Sequence, residues 1–212
     1  MSCPQCSGLE RLFDKKTAAR DLKNYRKKGP DKSTRLLIKA LEAEGVNGAT
    51  LLDIGGGIGA IQHELIRAGV RQAIDVDASP AYIEAARSEA ERQGHAERMT
   101  YHPGNFVELA DKIDPVNIVT LDRAICCYPD MPALVGASAK LAQNLYGLVY
   151  PRDTWWLKLA ARLLNSAMWL QRNPFRFFVH PSETVNEVIS HHGFEPRFYR
   201  RTFLWQIVVY SR

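Results

Sequence analysis

The sequence predicts an α/β fold: a doubly wound, mostly parallel sheet with helices on both faces and an antiparallel hairpin closing one edge. Three observations carry this. Between residues 50 and 150, short apolar runs alternate with helical segments, the pattern of βαβ units. The first run, Leu51-Leu52-Asp53-Ile54, turns at once into Gly55-Gly56-Gly57-Ile58-Gly59, with glycine at 55, 57 and 59. Near the C-terminus, segments 197–202 and 205–210 alternate in polarity across a connection too short for a crossover helix, so they pair antiparallel.

The elements follow in order. Residues 9–28 read as a basic helical segment that Gly29-Pro30 breaks. Asp31 or Ser33 caps the next helix, whose Leu36, Leu37, Ala40 and Leu41 recur at helical spacing. A buried strand covers 50–54, then helix 59–68, strand 73–76, helix 80–93 and strand 99–102. A short helix at 106–112, strand 116–121, helix 131–144 and strand 146–150 complete the alternation. Asp153 is positioned to cap a helix reaching about residue 171, and 181–192 forms another before the terminal hairpin. The expected organisation is an N-terminal helical cap at 1–47 and a main domain at 48–212, with a helical lid inserted at about 153–180.

At 212 residues the chain suits one domain with a substantial core. Its 46% apolar and 24% charged residues are ordinary for a globular protein. No early segment suits a signal peptide or a membrane span, so a cytoplasmic location is expected. The net charge of +5 is uneven. Residues 1–50 hold 11 Lys/Arg against 6 Asp/Glu, residues 51–151 hold 8 against 13, and residues 152–212 hold 9 against 4. Two basic segments thus flank an acidic block. Around one cleft they would attract an anionic substrate or membrane surface; otherwise they are solvated faces. Cys3-Pro4-Gln5-Cys6 has metal-ligand spacing, but no second such pair completes a zinc site. Cys126 and Cys127 would serve only if the N-terminus folded over them. No metal is expected, and reduced thiols are expected.

The glycine-rich turn exposes backbone N–H groups at a helix start, where a cofactor can rest against bare main chain. Asp77 ends the second strand, 22 positions after Gly55, where an acid accepts hydrogen bonds from ribose hydroxyls; Asp75 is the neighbouring candidate. The spacing D-x-G-x-G-x-G from Asp53, the acid at 77 and the terminal hairpin together resemble class I S-adenosylmethionine (SAM) methyltransferases. The resemblance covers roughly residues 48–212 and implies a Rossmann-like, seven-stranded sheet. It also implies SAM as cofactor and S-adenosylhomocysteine (SAH) as product. An NAD-dependent oxidoreductase is the competing reading of this loop. Counted from Gly55, the sixth position of a dinucleotide fingerprint is Ala60, which is tolerated; counted from Gly57 it is Gln62, which is not. The acid two places before Gly55 favours SAM. More loosely, the layout and the LDRAICCYPD and YPRD segments look like small bacterial methyltransferases grouped near magnesium-protoporphyrin O-methyltransferases.

The resemblance implies roles for particular residues. Asp53 orients the loop and reaches the methionine ammonium, Gly55, Gly57 and Gly59 form the turn, and Asp77 holds the ribose. Asn105 stands where relatives carry an acid that bonds the adenine amine, and its amide oxygen can accept the same bond. Phe106 either walls the adenine or packs in the core. Asp122 and Arg123 position substrate or close over SAM, and Tyr128 lines the transfer site; the competing reading is a salt-linked loop with a buried tyrosine. Tyr25 through Pro30 are expected to close over SAM.

Residues 155–171 are almost wholly apolar, with Lys158, Arg162, Asn165 and Ser166 on one narrow stripe. Such a helix packs under a lid, forms a dimer contact, roofs a hydrophobic pocket or lies in a membrane interface. Trp155 and the flanking Arg152, Arg172 and Arg176 are candidates for an amphiphilic carboxylate or phosphate. His180 is a general-base candidate for a hydroxyl acceptor, alongside Tyr128, or else a structural histidine. The function expected is methyl transfer to a small amphiphilic or anionic acceptor, with O-methylation favoured. A nucleic-acid methyltransferase and a non-catalytic SAM-binding protein are the alternatives. No RNA-binding module appears, so no nucleic-acid partner is expected. The expected state is a monomer or homodimer, with peripheral membrane contact through 155–171 as an option.

Overall fold

A computed structural model describes residues 8–9 and 11–212. Cys3 and Cys6 therefore lie outside the described residues. In chain order the elements are α1 (Lys15–Lys28), α2 (Lys32–Glu44), β1 (Thr50–Ile54), α3 (Ala60–Arg67), β2 (Gln72–Asp77), α4 (Pro80–Gln93) and β3 (Met99–Pro103). There follow α5 (Phe106–Leu109), β4 (Val116–Asp122), α6 (Met131–Leu141), β5 (Ala142–Pro151), α7 (Trp155–Leu170), α8 (Ser182–Ser190), β6 (Glu195–Arg201) and β7 (Trp205–Ser211). The seven strands form one sheet in the order β3-β2-β1-β4-β5-β7-β6. Neighbours among β1 to β5 are parallel, and β7 runs antiparallel to both β5 and β6. This is the doubly wound sheet with a closing hairpin that the sequence predicts. The order reverses between β1 and β4, so the carboxyl ends of these strands open a crevice there.

Helices cover both faces. One face packs Met131, Leu134 and Val135 of α6 and Val185 and Ile189 of α8 on Val119, Leu121, Tyr146 and Val208. The other packs Leu37, Ile38 and Leu41 of α2 and Ile61 and Leu65 of α3 on Leu51, Ile118, Val149 and Ile207. A boundary at residue 47 therefore does not follow the packing, because α2 shares a core with the sheet. Helix α1 packs apart from both: its Ala18, Leu22 and Tyr25 bury against Ile58 and Tyr82 beside the glycine loop.

Three local departures have clear causes. The N-terminal helical segment divides at Asp14, whose carboxylate accepts the Thr17 N–H at 2.8 Å and caps α1. Helix α6 stops at Leu141 rather than 144, because Ala142 already pairs with Val116 and Leu145 with both Ile118 and Ser211. Asp153 does not cap α7; Thr154 is the cap residue, and Asp153 pairs with Lys158 at 2.5 Å.

The seat of α2 on the sheet is tight. A β-carbon built on Gly147 would lie 2.9 Å from Leu37 Cδ1, with Thr120 and Leu41 also in contact. Leu37 and Leu41 are fully buried and have no room to yield. Gly147→Val is expected to cost about 1–3 kcal/mol in urea unfolding through overpacking. An unchanged midpoint would show that α2 is not held against β5.

Candidate active site

The crevice at the carboxyl ends of β1, β2, β3 and β4 opens into a cavity of about 1310 Å³. Its floor is the loop after β1. Gly55, Gly57 and Gly59 all take positive φ, at +69°, +59° and +79°, and Gly59 is the left-handed cap of α3. Gly56, between the spaced glycines, is required for a separate reason. A β-carbon there would lie 2.2 Å from Gln62 Nε2 and 2.5 Å from Asp75 Oδ1. The sequence pattern gives no special weight to this glycine, whose role depends on side chains 6 and 19 positions away.

Three carboxyl groups surround the loop. Asp53 is buried beneath it, accepting the Thr120 hydroxyl at 2.7 Å and the Gln62 amide at 3.1 Å. Burial pushes its pKa up to about 7, with Asp122 and Asp77 adding repulsion. Asp77 accepts the Gly57 N–H at 3.0 Å through one oxygen and the Ser79 N–H at 2.7 Å through the other. Burial raises its pKa while those two N–H groups oppose the rise. Asp75 pairs in register with Asp53 and is completely buried. Desolvation, and then the charges of Asp77 and Asp53, hold its pKa well above the usual carboxylate range. The cavity is lined by Asp53 and Asp77, and Asp75 lies behind them.

Asn105 and Phe106 also line the cavity. The Asn105 amide oxygen caps α5 by accepting the Val107 N–H at 3.3 Å, and its amide nitrogen donates to Glu108. That oxygen is therefore already engaged, which qualifies its expected role toward an adenine. Phe106 belongs to the main core and to the cavity wall together.

After β4, Asp122 and Arg123 form a clamp. Arg123 adopts φ +60°, a left-handed conformation that costs a non-glycine residue roughly 1–2 kcal/mol. Its guanidinium bonds Asp122 at 2.9 Å, Asp31 at 2.5 Å and the Thr34 hydroxyl at 3.0 Å. Thr34 also donates to Asp122 at 2.5 Å, and Asp31 caps α2 through the Ser33 and Thr34 N–H groups. Burial disfavours the Arg123 charge, but Asp122 and Asp31 outweigh it and raise its pKa above the ordinary value. The loop is salt-linked, with Asp31 and Thr34 as members that no local motif marks, while Asp122, Arg123 and the half-buried Tyr128 all line the cavity.

Cys126, Cys127 and Tyr128 continue the wall, and Leu164, Met168, Phe175 and Phe177 make its apolar end. Over the loop, α1 is pinned by Asp21 accepting the Tyr82 hydroxyl at 2.6 Å, and Ser79 donates to the Phe13 carbonyl at 2.8 Å. Tyr25 lines the cavity and donates to Glu64 at 3.0 Å.

Several expected site residues do not line the cavity: Gly59, which caps α3, the exposed Arg172, and His180, Trp155, Arg152 and Arg176. His180 is turned to the backbone, with Nε2 at 2.9 Å from the Ile125 carbonyl and 3.1 Å from that of Tyr128. A ring nitrogen facing two carbonyls is a donor, so this histidine braces the Cys126–Tyr128 turn rather than standing ready as a base there. Trp155 is 75% exposed. Arg152 donates to the Phe203 carbonyl, and Arg176 to the Asn173 and Phe175 carbonyls. The basic groups that do reach the lining are Arg20, Lys28, Lys32, Arg35 and Arg123. Among the described residues no cluster of three or more His, Cys, Asp or Glu could hold a metal.

The carboxyl cluster has a measurable signature. A carboxyl whose folded pKa is raised contributes stability below its unfolded value near 4, and that stability is lost as pH rises. Asp75→Asn removes this loss. The variant is expected to gain stability relative to the native chain as pH rises from 4 to 8. A difference independent of pH in urea unfolding would contradict the buried, neutral state of Asp75.

Residues 51–145 match the family described as a methyltransferase domain. The ribosomal protein L11 methyltransferase of Yersinia pseudotuberculosis is 35% identical over 127 residues, covering 57% of this chain and 43% of that protein. The protein of the same name from Citrobacter koseri is 32% identical over 123 residues, covering 55% and 42%. The chain thus spans less than half the length of these relatives. Among solved structures, magnesium protoporphyrin IX methyltransferase from Synechocystis PCC 6803 with bound SAM superposes with a TM-score of 0.69 at 14% identity, covering 100% of this chain and 98% of that one. An O-methyltransferase family protein from Burkholderia thailandensis gives 0.70 at 16% identity, covering 95% and 61%. At such identities the likeness is one of fold. Residues 51–145, which hold the glycine loop and its flanking acids, thus match a methyltransferase domain, and the chain shares the fold of SAM-dependent methyltransferases.

Proposed function

We propose that the chain transfers a methyl group from SAM to a small amphiphilic or anionic acceptor, with oxygen as the favoured methyl-accepting atom. One observation carries this reading. A single cavity is lined both by the polar set Asp53, Gly57, Asp77 and Asn105 and by the apolar Leu164, Met168, Phe175 and Phe177. The donor set fits the cofactor: Asp77 is fixed by two backbone N–H groups and keeps lone pairs for vicinal ribose hydroxyls. Asp53, at the base of the loop, offers a carboxyl oxygen to the α-ammonium of the amino-acid end.

SAM, when bound, supplies an electrophilic methyl on a sulfonium. The protein's share is then to align the acceptor and exclude water. In this reading α1 covers the loop, with the Asp21–Tyr82 bond holding it down. The Arg123 clamp fixes the turn bearing Cys126 to Tyr128, which forms part of the cavity wall. Lys28, Lys32 and Arg35 attract an anionic acceptor at the rim, taking the place expected for Arg152 and Arg176. A carboxylate acceptor arrives ionised and needs no base. Tyr128 remains the candidate for a hydroxyl acceptor, because it reaches the lining and His180 does not.

The named relatives raise a second reading, a protein acceptor. The family match ends at residue 145, before α7 and the loop that supplies Phe175 and Phe177, so the acceptor end is outside it. Both readings are separated by incubating the chain with methyl-labelled SAM and cell extract, followed by mass spectrometry. The proposal predicts label in a small, solvent-extractable product, released by mild alkali if a carboxyl is the acceptor. Label confined to protein or RNA, or no label, would contradict it. For the cofactor end, Asp77→Ala is expected to weaken SAM binding by at least about tenfold in calorimetry, the loss of hydrogen bonds to a charged group. Unchanged affinity would remove Asp77 from the site.

A further inference from the structure

Helix α7 buries only Leu157 and Ala161, although its sequence is apolar nearly all round. Trp155, Leu163, Trp169 and Leu170 are 75%, 65%, 71% and 78% exposed, and Leu159 is also exposed. At 3.6 residues per turn, Trp155, Leu159, Leu163 and Leu170 fall within an arc of ~80°, opposite the buried positions. The β6–β7 turn extends the patch: Phe203 is exposed, and its ring stacks on Trp156 at 5.1 Å. A contiguous apolar surface of this kind marks an interaction site rather than scattered surface residues.

The charge around it selects the partner. Residues 154–182 contain Lys158, Arg162, Arg172 and Arg176 and no Asp or Glu. Residues 196–212 contain Arg197, Arg200, Arg201 and Arg212, again with no acid. Lys158 is paired with Asp153, but Arg162 and Arg172 have no carboxylate partner among the described residues. A second copy docked on this face about a twofold axis would set arginine rim against arginine rim. An anionic bilayer surface complements both the apolar face and its rim. No helix among the described residues is long and apolar enough to cross a membrane, so α7 suits lying in the interface plane.

We propose that α7 and the β6–β7 turn dock the chain on anionic phospholipid membranes, with Trp155, Leu163 and Leu170 entering the interface and Arg162 and Arg172 facing headgroups. The same helix presents Leu164 and Met168 to the cavity, so its outer face meets lipid while its inner face walls the acceptor end. An amphiphilic acceptor dissolved in the bilayer then lies one helix away from the cavity. Docking needs no methyl transfer and is measured without SAM, so it stands or falls apart from the proposed activity.

The test is sedimentation of the full chain with phosphatidylcholine vesicles and with vesicles containing about 30% phosphatidylserine, together with quenching of tryptophan fluorescence by brominated lipid. The variants Leu159→Ser/Leu163→Ser/Leu170→Ser and Arg162→Glu/Arg172→Glu change only exposed side chains outside the cavity lining, and circular dichroism checks their fold. The proposal predicts at least about tenfold tighter binding to the anionic vesicles, brominated-lipid quenching, and loss of at least about tenfold in either variant. Failure to sediment with anionic vesicles, equal binding to both compositions, or binding unaffected by both variants would overturn it. So would a dimer in analytical ultracentrifugation that the triple-serine variant dissociates while the native chain ignores vesicles.

Discussion

The Gly57 N–H donates to Asp77 at 3.0 Å, and this bond ties the end of β2 to the loop after β1. Much of the cavity's polar end depends on it. The loop crosses from strand to helix through three positive-φ glycines, a conformation with little intrinsic preference of its own. Asp77 holds it from the side, while Asp53 reaches Gln62 of α3 from below. Packing three acids around one turn is costly, because each one's charge opposes ionisation of the others. The arrangement persists because Asp53 and Asp77 are hydrogen-bonded and Asp75 is held toward its neutral form. In the proposed reading, a cationic cofactor placed against this cluster lowers that repulsion, so the strain favours binding.

A second fixed point complements the first. Arg123 gathers Asp31, Thr34 and Asp122, joining the start of α2 to the end of β4. Its left-handed backbone is held by these bonds, and the turn that follows is braced again by His180 from the segment before α8. The cavity wall is therefore assembled from parts far apart in sequence but each anchored to the rigid sheet. Helix α7 is the exception. It is attached through a narrow buried stripe and leaves most of its apolar surface outside.

The fold is legible in the sequence because its signals are local. Alternating apolar runs, the glycine spacing and a short C-terminal connection each report on a few adjacent residues, and the sheet order follows from connection rules. Asp53 and Asp77 are legible for the same reason. Asn105 could have been read as a cap, since it stands directly before the helical segment Phe-Val-Glu-Leu. The Arg123 clamp could not, because Asp31 and Thr34 lie about 90 residues away and no period links them. The true setting of His180 is hidden likewise: its partners are backbone carbonyls, which every residue carries and no pattern distinguishes. Helix 131–144 ends early because β-pairing captures Ala142, a tertiary effect that outweighs helical propensity. The apolar composition of α7 suggests burial, yet the fold places most of it outside.

A crystal structure of the chain with SAH bound tests whether the glycine loop, its acids and the apolar wall act as one site. The ribose hydroxyls are expected within hydrogen-bond distance of Asp77, the amino-acid end toward Asp53 and the glycine loop, and the sulfur facing the wall formed by Cys126 to Tyr128. SAH bound elsewhere, or in this cavity with its ribose turned away from Asp77, would contradict it.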